Sequence, residues 1–213
     1  MKGKYILHDY RRCPFCIRVR VLLYLKEIPY EKVEEPLRQW TLWMRGWSER
    51  VSERPRVPVL RYATSSGSET VYTESNEIML MLDASHGEVA YTPAQNSPAY
   101  TEMTAWFEWC DEVFKHQIDR FKYGEGRQFD ATAHIGDTAL LRTMVGKLEN
   151  ALEDQKYLVE DRPSLADIAI IPFIRQIMRT REGEFDFADF PQVQRWSDEI
   201  IQTDWFVDVV MKR

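Results

Sequence analysis

The sequence has no apolar run approaching the roughly 20 residues that a membrane-crossing helix requires. Its opening, Met1-Lys2-Gly3-Lys4 followed by only Tyr5-Ile6-Leu7, is too short for the apolar centre of a secretory signal. The expectation is a cytoplasmic protein without membrane association. Cysteine is scarce. There are three among 213 residues, and an odd, small number is not a disulfide framework. Basic charge is in deficit, with 28 Lys and Arg against 34 Asp and Glu and a net charge of −6. General nucleic-acid binding draws on basic surface and is not expected. No internal repeat and no low-complexity segment interrupts the chain.

Hydrophobic residues make up 44% and charged residues 29%, enough to bury the core of one large domain or two small ones. The first third alternates strand and helix signals. Tyr5 to His8 reads as a strand. Ile17, Val21 and Leu25 then mark a helix face that Pro29 ends, and Tyr30 to Val33 reads as a second strand. Leu37, Trp40, Met44 and Trp47 follow helix spacing and predict a helix from Pro36 to Trp47. Val57 to Tyr62 and Val71-Tyr72, joined by the turn Ser65 to Ser68, form a hairpin. A helix begins near Glu74 or Ser75. Residues 1–85 are thus read as an α/β domain of order β-α-β-α-β-β-α. Residues 86–97 lack periodicity and are read as a linker. In residues 98–213 strand signals vanish. Met103, Trp106, Phe107, Cys110 and Phe114 form a helix stripe, further stripes follow, and this second domain is expected to be all helix.

The sharpest chemical feature is Arg11-Arg12-Cys13-Pro14-Phe15-Cys16. Cys13 falls where a loop meets the first helix, and free amides and the helix dipole there favour a thiolate, the reactive form of cysteine. Arg11 and Arg12 add positive charge. Pro14 suits the first turn, where its missing N–H is not needed. Cys16, one turn on, stands near enough to attack a mixed disulfide on Cys13. The competing reading makes both cysteines buried spacers. A zinc site would need a second ligand pair; His8, His86, His116 and His134 form none. Cys110, inside an apolar stripe, reads as a small buried hydrophobe.

Two further fragments carry weaker signals. Pro58 directly precedes a strand, the position a strand-opening proline occupies; a cis Val57–Pro58 bond would aim the Val57 backbone at an extended peptide ligand. Thr73-Glu74-Ser75 lies at a strand-to-helix junction. Ser75 is expected to cap the helix and to offer donors to a carboxylate, and Glu74 to meet an ammonium. Ordinary capping accounts for the same residues.

In this order the fragments resemble the cytosolic glutathione transferase family, most closely its cysteine-type members, omega-like and bacterial, which overlap with two-domain glutaredoxins. The resemblance spans the whole chain. It implies a thioredoxin-like first domain and an all-helical second, with Cys13 as nucleophile, Pro58 as the family's cis-proline and Glu74-Ser75 as its acidic-Ser pair. Ser164 to Ala169 is similar to the family's capping-box motif, with Ser164 and Asp167 satisfying amides at a helix start. The resemblance further implies glutathione as co-substrate, no metal, a homodimer, and ligand contacts from Phe15, Val57, Pro58, Glu74 and Ser75. Arg45, Arg54 and Arg56 are candidates for the basic residue against the glycyl carboxylate. A cysteine at the nucleophile position, where tyrosine- and serine-type members use a hydroxyl, implies thiol transfer through a mixed disulfide with glutathione. Cys16 is then a candidate resolving thiol. Conjugation of glutathione to an electrophile is the alternative, and a non-enzymatic binding or regulatory protein on the same fold is the alternative of another class.

Overall fold

The apolar and turn signals of the first 85 residues resolve into one small sheet with its helices. The computed structural model describes residues 3–36, 39–123, 134–180 and 184–211. The order is β1 (Lys4–Asp9), α1 (Pro14–Leu25), β2 (Tyr30–Glu34), α2 (Leu42–Val51), β3 (Val59–Ala63), β4 (Glu69–Tyr72) and α3 (Ser75–Ser85). The sheet order is β2-β1-β3-β4. β1 runs parallel to β2, with Leu7 opposite Lys32, and antiparallel to β3, with Leu7 opposite Leu60. The hairpin β3–β4 is antiparallel. This is the thioredoxin-like arrangement: a parallel βαβ half and a β-hairpin half sharing one mixed sheet.

α1 and α3 pack against one another. Their shared core includes Ile17, Val21, Leu22, Ile78 and Leu82, all at most 2% exposed. α2 starts later than the spacing of Leu37 and Trp40 predicts, and Leu37 lies outside the described residues. The reason is local. Thr41 caps the helix by accepting from the Met44 amide at 3.3 Å, and the buried Glu35 carboxylate fixes Thr41 through its amide at 2.9 Å and its hydroxyl at 2.7 Å. Trp40, Trp43 and Trp47 join Met44, Val57, Val59 and Val71 in one hydrophobic cluster.

Glu35 also accepts from His8, Nδ1···Oε1 2.6 Å. Arg61 Nη1 lies 3.3 Å from the other ring nitrogen. A guanidinium only donates, so Nε2 is the acceptor and the proton sits on Nδ1. Burial is the main cause that lowers the His8 pKa, against the opposing pull of Glu35. Trp43 stacks on the His8 ring at 4.3 Å and under the Arg61 guanidinium at 4.1 Å. Two buried ion pairs brace the unit, Arg20–Asp9 and Lys26–Asp83, both at 2.6 Å.

The chain divides into two units, residues 1–89 and 90–213. The stretch read as linker is shared between them. His86 Nε2 lies 3.5 Å from the Tyr5 hydroxyl and Lys26 Nζ donates to the Val89 carbonyl. The carbonyls of Ala90 and Tyr91 accept from Arg162 Nη1 and the Leu165 amide, each at 3.0 Å. Among its described residues the second unit has helices and no strand. It comprises α4 (Pro98–Trp109), a π-helical turn (Cys110–Phe114), α5 (Lys115–Tyr123), α6 (His134–Ala151), α7 (Leu165–Arg179), α8 (Pro191–Ile201), α9 (Asp204–Phe206) and a second π-helical turn (Val207–Met211). Cys110 is buried, as its place in the stripe predicts. No described helix is long and apolar enough to cross a membrane.

α7 begins with the capping box read from the sequence. Ser164 Oγ accepts from the Ala166 amide and Asp167 Oδ2 accepts from the Ser164 amide at 2.8 Å. Asp167 is buried and takes three more bonds, from the Ser164 hydroxyl at 2.9 Å, the Leu158 amide at 3.0 Å and the Trp196 indole at 2.9 Å.

Candidate functional site

Cys13 is the residue immediately before α1, in extended backbone with φ −72° and ψ 121°. Its amide donates to the Tyr10 carbonyl at 2.9 Å. No side chain caps this helix start, so its amides remain for the sulfur, and those of Phe15 and Cys16 bond it. Cys13 is partly exposed, whereas Cys16 is fully buried. Both thiols are free. The Cys16 sulfur accepts from the Tyr10 amide at 3.4 Å and its thiol bonds Cys13.

These contacts separate two chemically identical groups. The Cys13 thiol is brought down to about 7, first by the hydrogen bond from Cys16; burial opposes this, and the amides of Cys16 and Phe15 reinforce it. Cys16 is pushed well up, first by burial and then by its bond to Cys13. Of the two, Cys13 is therefore the thiol that supplies thiolate near neutral pH, while Cys16 keeps its proton. The sequence pointed to the helix-start amides and dipole, with Arg11 and Arg12 adding charge; the geometry retains the amides of Cys16 and Phe15 and puts the Cys16 thiol first. The Arg11 amide is held by Glu34 at 2.9 Å, and the Arg12 guanidinium lies 5.8 Å from the Tyr10 ring. Asp9 acts on both sulfurs and disfavours thiolate. Arg20 engages both Asp9 oxygens, at 2.6 and 2.7 Å, and the Arg11 carbonyl at 2.9 Å. It thereby clamps the loop that presents Cys13.

Beside this loop opens a cleft of about 260 Å³ lined by Phe15, Arg56, Val57, Pro58, Glu74 and Ser75. The structure thus brings together residues of α1, α3 and the segment before β3 that the sequence singled out separately. The Val57–Pro58 bond is cis. Arg56 Nη2 lies 2.8 Å from Glu74 Oε1 and 3.1 Å from Glu53 Oε2, so two opposite charges meet at the rim. Glu74 has φ +51°, a left-handed conformation uncommon for a residue with a side chain. Arg45 is exposed on α2 and is not part of the lining; Arg54 is exposed as well.

Ser75 differs from expectation. Glu74 occupies the cap position of α3, without a side-chain cap bond, and Ser75 is the first helical residue. Its hydroxyl instead meets Arg18 Nη1 at 3.0 Å. Arg18, fully buried on α1, also donates to Asn76 Oδ1 at 3.1 Å and lies 4.9 Å from the Phe15 ring. Sequence reasoning passed over Arg18. Its signal was available in Ile17-Arg18-Val19-Arg20-Val21: two arginines inside an apolar helix need buried partners. Among the described residues no group of His, Cys, Asp or Glu is arranged to hold a metal.

Two family models match the chain. The glutathione S-transferase N-terminal domain matches residues 12–85 and the glutathione S-transferase C-terminal domain residues 116–204. No curated protein matches at the level of sequence. Among solved structures, FzlA from C. crescentus is similar with a TM-score of 0.81 at 20% identity, over 99% of this chain and 93% of that one. A glutathione S-transferase from Rhodospirillum rubrum F11 gives 0.79 at 20% identity, over 98% and 93%. A glutathione transferase family member from Pseudomonas fluorescens pf-5, solved with two glutathione bound, gives 0.79 at 20% identity, over 97% and 92%. At such identities the likeness speaks for the fold alone. The two matched domains follow one another in the order of the two units and between them cover most of the sequence: the chain belongs to the glutathione S-transferase family.

Proposed function

We propose that the protein is a glutathione-dependent thiol transferase of the cysteine type, with Cys13 as nucleophile. The observation that carries this reading is the unequal thiol pair at the uncapped start of α1, with Cys13 partly exposed before the first turn and Cys16 fully buried behind it, its thiol bonded to Cys13. A hydroxyl-type transferase has no use for such a pair, whereas disulfide exchange uses a thiolate to attack and a second thiol, from glutathione or from the protein, to resolve the mixed disulfide. The glutathione-bound relative supports the choice of ligand.

Glutathione lies extended along Val57, its γ-glutamyl ammonium at Glu74, its carboxylate at Ser75 and its sulfur toward Cys13; Phe15 forms the wall. Arg56 is the basic residue best situated for a ligand carboxylate, and Arg45 is not. In the reaction the Cys13 thiolate attacks the glutathione sulfur of a mixed disulfide. A Cys13–glutathione disulfide forms and the substrate leaves as its thiolate. A second glutathione thiolate then attacks, giving oxidised glutathione and free Cys13. In the dithiol route Cys16 loses its proton and attacks instead, giving a Cys13–Cys16 disulfide and reduced glutathione. The odd, small number of cysteines supports a reducing, cytoplasmic location, and the family resemblance supports a homodimer.

The test is intact mass after treatment with oxidised glutathione, for wild type and Cys13→Ala. One glutathione adduct on wild type, absent from the variant and removed by reduced glutathione, is expected. Loss of two hydrogens by wild type selects the dithiol route. Full thiol transferase turnover by Cys13→Ala refutes the nucleophile, and conjugating activity that survives it favours transfer to electrophiles.

A further inference from the structure

We infer that His8 is a proton switch for the Arg61–Trp43 stack: a proton taken up at its Nε2 drives the guanidinium off the indole that it covers. The switch is independent of what the cleft binds. His8 is 1% exposed, and both of its ring nitrogens are engaged. Nδ1 donates to Glu35 Oε1 at 2.6 Å. Nε2 holds the lone pair and accepts from Arg61 Nη1 at 3.3 Å. Trp43 lies against both partners. It stacks on the His8 ring at 4.3 Å, and the Arg61 guanidinium stands 4.1 Å from its centroid, within cation–π range. The arrangement closes only while Nε2 is bare.

A proton from solvent binds that lone pair, and the hydrogen bond from Arg61 is lost. Nε2 becomes a donor, so N–H faces N–H and a cation faces a cation. The Glu35 side does not yield, because an imidazolium donates to a carboxylate more strongly than an imidazole does. Arg61 yields instead. Its side chain is 17% exposed, and its Nε already donates to Glu69 Oε1 of β4 at 2.6 Å, a partner it keeps as it swings outward.

The surrounding groups decide where this happens. Burial, the largest influence, and Arg61 disfavour the charged ring, while Glu35 and Glu69 favour it; the balance holds the His8 pKa below the usual histidine value. Exposed Glu31 of β2, paired with Lys4 at 2.8 Å, feels the ring from the surface. Val33 and Val59 flank His8 in β2 and β3, and α2 presents Trp43. Asp9, next along β1, points to the opposite face, where Arg20 holds it. The ring is therefore neutral at pH 7 and charges in acid. Trp43 shares a hydrophobic cluster with Val57, which lines the cleft, so the switch is joined to the cleft wall by packing.

The test is nuclear magnetic resonance of the full chain, from neutral pH into mild acid, for wild type, His8→Asn and Arg61→Met. The imidazole nitrogen shifts of wild type are expected to show the Nδ1–H tautomer at pH 7 and a one-proton transition centred below about 6.5. The Arg61 Nε–H resonance, assigned by its absence from Arg61→Met, starts displaced by the indole ring current. It is expected to move to the position of an unstacked arginine with the same midpoint as His8. In His8→Asn, which keeps a donor for Glu35 but cannot titrate, the Arg61 resonance should show no such transition. Arg61→Met removes the opposing cation and should raise the His8 midpoint. An Arg61 resonance that stays in place while His8 charges overturns the inference. So does an Arg61 transition that persists in His8→Asn, or a His8 midpoint unmoved in Arg61→Met. If His8→Asn does not fold, the wild-type coincidence of midpoints and the Arg61→Met shift decide alone.

Discussion

Helix starts in this chain are finished in two ways. α2, α4, α7 and α9 each begin behind a hydroxyl, from Thr41, Ser97, Ser164 and Thr203, that accepts from a first-turn amide. α8 has no such side chain at Phe190, and Glu149 of α6 accepts from its Gln192 and Val193 amides, both at 2.9 Å. α1 and α3 differ: neither Cys13 nor Glu74 makes a side-chain cap bond. A cap satisfies amides that a helix start leaves orphaned, and where it is missing those amides stay available to a sulfur or a ligand. Phe15 from the first of these starts and Glu74 and Ser75 from the second line the cleft, and the first also carries the Cys13 thiol. The lesson is that an unfinished helix end in an otherwise well-finished fold points to chemistry.

The comparison can be broken most severely at α7. Asp167→Ala removes the acceptor for two amides, a hydroxyl and an indole, all buried. Orphaning such a network should cost about 3–5 kcal/mol of stability, visible as a large fall in the denaturant midpoint.

At α1 the matching change is chemical. Cys16→Ala removes the main support of the Cys13 thiolate, so the midpoint of Cys13 alkylation against pH should rise from about 7 toward the usual value near roughly 8.5. The sign follows from the direction of the shift: a lowered pKa means thiolate persists to lower pH, and losing its cause withdraws reactivity first on the acid side. Cys16→Ser, which keeps a donor, should shift the midpoint less. An unmoved midpoint in Cys16→Ala would mean the amides alone hold the thiolate.

Ser164→Ala sharpens the contrast on the capped side. It should cost about 1 kcal/mol of stability and leave glutathione affinity as it was, measured by thermal melting and calorimetry on the same sample.

The smallest effect, of opposite sign, is expected at α3. Glu74 holds φ +51°, which glycine adopts without penalty. Glu74→Gly should raise stability by about 0.5–1 kcal/mol and weaken glutathione binding. A variant that gains stability without losing affinity would remove Glu74 from the site.

Much of this contrast was legible in the sequence, because caps and apolar stripes are local. Ser164 and Asp167 announce α7 by spacing alone, and the strand and helix order of the first unit follows from periods of two and three to four residues. The start of α2 was misplaced because Trp40 keeps helical spacing while standing outside the helix; what stops the helix is Glu35, six residues before Thr41 and invisible to periodicity. Ser75 was misread for the same reason. Its partner, Arg18, is 57 residues away, and a hydroxyl at a helix start looks like a cap until that arginine is placed. The set of buried His8 and Glu35 with half-buried Arg61 likewise assembles from three separate stretches of the chain. The thiol pair was found for its position, and the helix-start amides expected to support the thiolate do bond it; that the Cys16 thiol is the first support, ahead of the adjacent arginines, was not legible, since the sequence shows neighbours along the chain and not which of them faces the sulfur.

The rim pair of Arg56 and Glu74, 2.8 Å apart, has a consequence for how the cleft sorts its visitors. Before any ligand arrives, the cleft already holds a cation and an anion that satisfy each other. A zwitterion can enter by exchanging one ion pair for two. A visitor carrying only a carboxylate must draw Arg56 away and leave Glu74 to water. One carrying only an ammonium leaves Arg56 with Glu53 at 3.1 Å and loses less. Both rim groups are about half exposed, so solvent and salt mute each of these differences to about 1 kcal/mol or less. Such an entrance ranks visitors by balance of charge before shape is consulted, and its ranking is zwitterion first, cation second and anion last.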